Sequence, residues 1–348
     1  MLRRLRLRRI SLKKKHEQCP IAISQLYLHS SGKVYPCGFI QGRESIGNIK
    51  ESSMKEIWNG ELATSFRQSH QAGTNSTCSE MQGKYNCHLL HNHINTERED
   101  TKIKRLDIMI DSFCNLVCIM CTNRSEENQG FTNEAFWKEL EESILPDIEE
   151  IELVGGEPFV VKDTYRLIDL VMKVKPSIRW CFVTNGHFDF DRLLAKRLQH
   201  LNIYSAAVSI DSFIPERFKE IRVNGDLDKA LDTLRKIRKE RDLKKFYLTC
   251  NFLIQRDNYD EVRAAINFCK EEEVAFYPML LRDPSDFSIL NFPNSKLASI
   301  VKDFLCIYRE TKNLKIYNIA LKIIKSKDKD FLLEVAEDLP ELERVEHD

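Results

Sequence analysis

Three cysteines within eight residues, Cys114, Cys118 and Cys121, carry the clearest chemistry in this chain of 348 residues. Their CxxxCxxC spacing follows directly on a strand-like run, Lys104–Asp111. Three thiolates on one tight loop can hold three corners of a cubane [4Fe–4S] cluster. The fourth iron then keeps an open position, as catalytic metals do. A zinc site asks for four protein ligands, and this loop offers three. The bland alternative is three inert thiols packed as small hydrophobes. It fits poorly with a strand-to-helix loop, where parallel βα folds place their active sites.

Other candidate residues lie at the ends of later strand-like runs. The second run closes on Gly155-Gly156-Glu157-Pro158, where two glycines let backbone approach a ligand closely and the proline fixes the turn. The third closes on Thr184-Asn185-Gly186. The fourth closes on Ser209-Ile-Asp211-Ser212, followed by a segment containing Arg222. A guanidinium suits a bidentate carboxylate pair, although an arginine is by default a surface charge.

Positioning these residues requires a regular framework. Strand-like runs are Arg105–Ile110, Glu150–Val154, Arg179–Thr184, Tyr204–Ile210, Phe246–Ile254 and Val274–Leu280. Helix-like stretches at 132–144, 163–174, 189–199, 226–240 and 258–271 lie between them. Strict strand–helix alternation implies βα units and a parallel sheet, curled into an open or closed barrel. Upstream, Gln25–Ser30 alternates, Ser31-Gly32 turns and Lys33–Cys37 returns, a hairpin pattern. Met54, Ile57 and Trp58 share one face of a short helix, and Leu62 and Phe66 follow a break at Asn59-Gly60. Residues 71–100 are polar, contain Cys and His and lack periodicity. Beyond 286 the chain reads as helices with an acidic end.

Apolar residues make up 42% and charged residues 30%, ordinary values for a globular protein. No apolar run reaches 18 residues, so no transmembrane helix is expected, and no apolar stretch follows the basic N-terminus as a secretory signal requires. A cytoplasmic location is therefore expected. Seven of the eleven cysteines precede residue 122 in short-spaced groups, which favours metal or redox chemistry over disulfides. Cys181, Cys250, Cys269 and Cys306 are isolated and expected in the core. Net charge is zero but uneven: residues 1–15 hold eight basic groups and no acid. Such an arm is ordinarily solvated, and it can also contact a membrane surface, a nucleic acid or an acidic peptide. The remaining chain is acidic and has no basic, aromatic-laced face, which argues against nucleic acid.

Residues 103–282 resemble the radical S-adenosylmethionine superfamily: the CxxxCxxC loop, GGEP one βα unit later, and the strand ends at Thr184-Asn185 and Ser209–Ser212 each match a family segment. The resemblance implies an α/β fold, a partial (β/α)6 TIM-like barrel, and two cofactors, a [4Fe–4S] cluster and S-adenosylmethionine. Cys114, Cys118 and Cys121 would hold the cluster. Met120, where the family often has an aromatic residue, would lie near adenine. Gly155, Gly156, Glu157 and Pro158 would meet the methionine amino group; Thr184, Asn185, Ser209, Asp211 and Arg222 would line ribose and carboxylate. An electron from a donor such as flavodoxin or ferredoxin would break the sulfur–C5′ bond, and the 5′-deoxyadenosyl radical would take hydrogen from substrate.

Cys19, Cys37, Cys78 and Cys87, with Ile46–Ile49 and Met54–Asn59, resemble the auxiliary SPASM domain or its shorter twitch form. The domain's cysteine frame reads Cys78, Met81, Cys87 and His91 here, so two auxiliary clusters are not expected. The four cysteines suffice for one auxiliary [4Fe–4S] cluster. Zinc, or a ligand from His88, His91 or His93, is the alternative. The expected organisation is a basic arm at 1–18, an auxiliary cluster domain at 19–100, the partial barrel at 101–285 and a helical segment at 286–348. The resemblance implies a peptide substrate for a maturase-type reaction. A sugar or other small metabolite is the alternative within enzymes, and a non-catalytic iron–sulfur scaffold the alternative outside them.

Overall fold

The computed structural model describes residues 21–41, 43, 45–72, 74–78, 102–122, 124, 132–327, 331 and 335. Among these residues eleven strands form: β1 (Gln25–Leu28), β2 (Lys33–Tyr35), β3 (Gly47–Asn48), β4 (Arg105–Ile108), β5 (Val117–Cys118), β6 (Glu150–Leu153), β7 (Arg179–Thr184), β8 (Asn202–Ser209), β9 (Arg222–Val223), β10 (Tyr247–Ile254) and β11 (Ala275–Leu280). Nine of them make one sheet in the order β11-β10-β8-β7-β6-β4-β1-β2-β3, and β5 pairs with β9 in a small ribbon.

The six expected strands are β4, β6, β7, β8, β10 and β11. They run parallel in chain order, each paired with the next. Parallel neighbours need a crossover, and each crossover carries a helix: Glu134–Glu139, Lys162–Val174, Phe190–Leu193 with Ala195–Leu198, Leu227–Lys244 and Val262–Glu271. The sheet is open, with β11 and β3 at its edges. The stretch at 189–199, expected as one helix, is broken at Leu194. The stretch at 132–144 finishes in a wide π turn, Leu140–Ile144. The helix Pro215–Ile221 has no counterpart among the expected elements. Two helices, Asn294–Thr311 and Leu314–Lys325, follow β11 and bury Val301, Phe304, Ile316 and Ile323.

Side-chain alternation explains how the sheet works. Along β10 every second residue, Leu248, Cys250, Phe252 and Ile254, is sealed, while Thr249, Asn251 and Leu253 between them are half-open. Leu106 and Ile108 on β4, and Ile151 and Leu153 on β6, join the same sealed layer with Leu167, Ile168 and Val171 of a crossover helix. Each fully buried Leu, Ile or Phe contributes roughly 1.5–3 kcal/mol of transfer free energy. The opposite face is less sealed, with Thr249, Asn251 and Leu253 of β10 half-buried and Val183 of β7 exposed.

The N-terminal hairpin is part of this sheet. β1 pairs antiparallel with β2 and parallel with β4. All four β1 residues are buried, whereas the alternating pattern predicts one exposed face. β4 covers the strand on one side and β2 on the other, and both faces are enclosed. Leu26, Leu28, Met54, Ile57 and Trp58 belong to the same core as the barrel strands. The helix Met54–Asn59 starts with a capping box, Ser53 and Glu56 bonding reciprocally. Its backbone N–H groups at Met54 and Lys55 also donate to Glu139 on the first crossover helix, both at 3.0 Å. Among the described residues, no helix is long and apolar enough to cross a membrane.

Candidate functional site

The cysteine loop begins at Asp111, three residues past the end of β4, and is held from three sides. Asp111 Oδ1 accepts from the Phe113 N–H at 2.7 Å, an Asx turn that opens the loop. Cys118 lies in β5 and pairs in register with Arg222 of β9. GGEP forms the third support. Gly155 sits at φ +129°, and a Cβ there would meet Asp111 O at 2.7 Å. A Cβ on Gly156 would stand 2.0 Å from the Phe113 carbonyl. The sequence suggests that these glycines make room for a ligand; the structure fills that room with the cysteine loop itself. The backbone of Glu157 completes the contact, its N–H donating to Phe113 O at 3.0 Å.

The Glu157 side chain turns inward. Its carboxylate is fully enclosed and accepts from Thr184 Oγ1 at 2.7 Å, from the Asn185 N–H at 2.6 Å and from the Phe159 N–H at 3.2 Å. Burial pushes this carboxyl up to about 7, against the pull of those three donors. The sequence places Thr184 and Glu157 among the cofactor contacts; in the structure their side chains are spent on each other, tying the end of β6 to the end of β7. Pro158 is buried at the start of a short 3-10 turn.

Asn185 reaches the other way. Its Nδ2 donates to Asn115 Oδ1 at 3.0 Å and lies 3.5 Å from Cys114 Sγ. The Leu116 N–H also points at Cys114 Sγ, at 3.4 Å. The residue that aims Asn185, His187, is absent from the candidates the sequence offers. His187 Nε2 accepts from the Asp226 N–H at 2.7 Å, which leaves the proton on Nδ1 to donate to Asn185 O at 2.7 Å. Burial lowers this imidazole's pKa and keeps it neutral. The available signal was a His directly after the strand-end turn Thr184–Gly186.

Arg222 is buried, not the surface charge it is by default. Nη2 and Nε hold Asp211 Oδ2 at 2.6 and 2.8 Å, and Nη1 lies 3.8 Å from Cys118 Sγ. Its carboxylate partner is thus internal. Asp211 is fully engaged as well, with Oδ1 accepting from the Leu253 N–H at 2.8 Å. Burial pushes the Cys118 thiol up to about 11, and the neighbouring guanidinium pulls it down. Met120 packs against Ile221 and Leu281, an apolar patch beside Cys118. Ser209 ends β8, half-buried, in register with Asn251.

The donor set fits an iron–sulfur cubane. No three His, Cys, Asp or Glu side chains among the described residues converge on one point, as a single metal ion requires. A cubane asks for a wider frame, one thiolate to each of three irons. N–H groups from Leu116, Asn185 and Arg222 face two of the sulfurs, the environment that stabilises bound thiolates. Cys121 is exposed.

Of the second cysteine group, Cys37 and Cys78 are half-buried. Cys37 packs beside Tyr27, Tyr35 and Ile40. Cys19, Cys87, His88, His91 and His93 lie outside the described residues, as does the basic arm. Among the isolated cysteines, Cys250 and Cys269 are core residues as expected. Cys181 is buried too, but on the interior face, opposite Glu152 on β6 and Ser205 on β8. Cys306 is only half-buried, on the helix Asn294–Thr311.

The family model of the radical SAM superfamily matches residues 108–269. Those residues belong to the radical S-adenosylmethionine superfamily. A second model, the SPASM iron–sulfur cluster-binding domain, matches residues 19–87, which places that domain ahead of the barrel. The cofactors of this radical SAM protein are [4Fe–4S] iron–sulfur chemistry and S-adenosylmethionine. Curated relatives include GTP 3',8-cyclase of Clostridium perfringens, 26% identical over 222 residues, 62% of this chain and 67% of the relative. GTP 3',8-cyclase of Clostridium botulinum is 25% identical over 192 residues, 53% of this chain and 57% of the relative. Among solved structures, Streptococcus suis SuiB bound to S-adenosylmethionine shows 13% identity and a TM-score of 0.44 over 73% of this chain and 55% of SuiB. Native anSMEcpe with bound AdoMet shows 18% identity and a TM-score of 0.42 over 60% of this chain and 60% of that one. The radical SAM chain thus spans between about half and two thirds of the length of these proteins.

Proposed function

We propose that this radical SAM protein binds a [4Fe–4S] cluster through Cys114, Cys118 and Cys121, binds S-adenosylmethionine at the open face of that loop, and abstracts a hydrogen atom from a substrate held in the barrel interior. Once bound, the cluster supplies the electron that divides S-adenosylmethionine into methionine and a 5′-deoxyadenosyl radical. The chain's own residues build the seat. Gly155 and Gly156 clamp the cysteine loop, Glu157 ties β6 to β7, Asn185 and Arg222 present N–H groups to Cys114 and Cys118, and Met120 offers an apolar surface beside them. The observation that carries the reading is this convergence of two different strand ends on two sulfurs of one loop.

A low-potential donor such as flavodoxin or ferredoxin is the expected reductant. For substrate, a small polar molecule is favoured over the peptide expected from sequence, because the half-open interior face is rich in polar residues such as Thr249, Asn251 and Ser209. The relatives that carry GTP in their names point the same way. For the auxiliary site, Cys19, Cys37, Cys78 and Cys87 hold one [4Fe–4S] cluster, with zinc as the competing occupant.

Anaerobic reconstitution with iron, sulfide and dithionite, followed by addition of S-adenosylmethionine, tests the proposal. The intact chain makes 5′-deoxyadenosine, and the C114A/C118A/C121A variant makes none. Equal product from both ends the reading. In the triple variant, iron retained and zinc absent by elemental analysis supports the auxiliary cluster, and the reverse supports zinc.

A further inference from the structure

The lower barrel interior carries charge that the radical chemistry does not use. Strand register stacks it in two layers. Gln25, Arg105, Glu150 and Arg179 stand side by side on β1, β4, β6 and β7. One step toward the cysteine loop stand Tyr27, Asp107, Glu152 and Cys181. Arg105 is the hub: it bonds Asp107, Glu150 and Glu152 at once. Arg179 takes the other oxygen of Glu150, at 3.1 Å. Three carboxylates against two guanidiniums leave one negative charge.

Two acceptors remain after these pairings. Gln25 is 1% exposed; its Nε2 donates to Asp107 Oδ2, and its buried Oε1 has no hydrogen-bond partner. A buried amide oxygen left unpaired costs ~1–3 kcal/mol, so a donor is called for. Glu152 gives one oxygen to Arg105, and its side chain keeps 27% of its surface exposed. Above these layers the wall turns apolar at Val183 and Ala207, then polar again at Ser209 and Asn251. Four residues of strand, from Cys181 to Asn185, separate floor and loop, roughly 13 Å.

We propose that this floor, formed by Gln25, Asp107 and Glu152 around Arg105, is a binding site for a cationic nitrogen group of the substrate, an ammonium or guanidinium. The group donates to Gln25 Oε1 and Glu152 and neutralises the surplus charge. The apolar band above takes a hydrocarbon stem, and the carbon that loses hydrogen lies near the loop. Burial supports the assignment: it pushes Asp107 up to about 7 and raises Glu152, both against the pull of Arg105.

The inference rests on the reading of the chain as a radical enzyme with its substrate in the interior. The reconstituted full chain is titrated calorimetrically with n-butylammonium and n-butylguanidinium, and with 1-butanol and butyrate as uncharged and anionic counterparts. Either cation is expected to bind at least tenfold more tightly than 1-butanol, with butyrate weakest. E152Q and Q25L are each expected to lower cation affinity tenfold or more, with far-ultraviolet circular dichroism confirming the fold. Equal affinity for 1-butanol, unchanged cation affinity in a folded E152Q or Q25L chain, or preference for butyrate would overturn the site. 5′-Deoxyadenosine formation by the wild-type chain is measured in parallel. Product without selective cation binding removes the floor site alone, and no product removes the radical reading alone.

Discussion

Thr184 Oγ1 donates a 2.7 Å hydrogen bond to Glu157 Oε1, and through it the ends of two neighbouring strands share one buried carboxyl. The carboxyl's pKa of about 7 in the folded chain stands above its ordinary 4.5. Below pH 4.5 it is protonated in both folded and unfolded chains. Between 4.5 and 7 the unfolded chain loses the proton while the folded chain keeps it, so stability falls as pH rises through that window, by roughly 3 kcal/mol for such a shift. The E157Q variant is expected to flatten this slope and, by facing an amide N–H toward the Asn185 N–H, to lose about 1–2 kcal/mol at pH 4.5. Urea unfolding at pH 4.5, 6 and 7.5 checks both effects; an unchanged slope removes Glu157 from the account.

Asn185 Nδ2 faces Cys114 Sγ. A hydrogen bond to a ligating sulfur stabilises the more negative, reduced cluster, so removing it lowers the reduction potential. A net bond of ~1 kcal/mol corresponds to roughly 40 mV for one electron. The N185A variant is expected to shift the midpoint downward by that order in a redox titration followed by electron paramagnetic resonance, with iron content unchanged. An upward or absent shift at full iron loading contradicts the contact.

Arg222 and Asp211 form a buried pair in which each is the other's main partner. Removing one leaves the other charged and unpaired, a loss of ~3–5 kcal/mol. R222Q is therefore expected to destabilise strongly, and R222Q/D211N to recover part of the loss. Denaturation of R222Q, D211N and the double variant gives the coupling energy. Additive losses would mean the two residues act independently.

Gly156 admits no side chain, because a Cβ would stand 2.0 Å from the Phe113 carbonyl. The G156A chain must shift the cysteine loop away from GGEP. Loss of ~1–3 kcal/mol is expected, the range for overpacking, together with weaker iron incorporation. A crystal structure or iron titration of G156A with the loop unmoved would show that the contact is softer than drawn.

Much of this architecture is legible in the residues. All six parallel strands announce themselves by β-rich runs with regular helical spacers, since the βα repeat is a local pattern. The cysteine triplet and GGEP are legible because their chemistry depends on spacing within a single loop. What escapes is pairing across the chain. That Arg222 finds Asp211, that Glu157 turns to Thr184, and that Cys181 faces the interior all depend on register between distant strands, which no local pattern encodes. β1 reads as an alternating hairpin strand because its burial comes from β4, far along the chain. Glu139 looks like one more surface acid until its helix meets the N–H groups of Met54 and Lys55.

The placement of β1 beside β4 makes the N-terminal segment part of the same sheet that carries the cysteine loop. A chain begun at residue 101 would expose the whole hydrogen-bonding edge of β4, a template for self-association, and would carry away Gln25 and Tyr27 with the missing strand. Grafting this amino-terminal portion onto another barrel would transplant a strand of the sheet along with any metal it carries. Whatever change in sequence retunes one is obliged to be tolerated by the other.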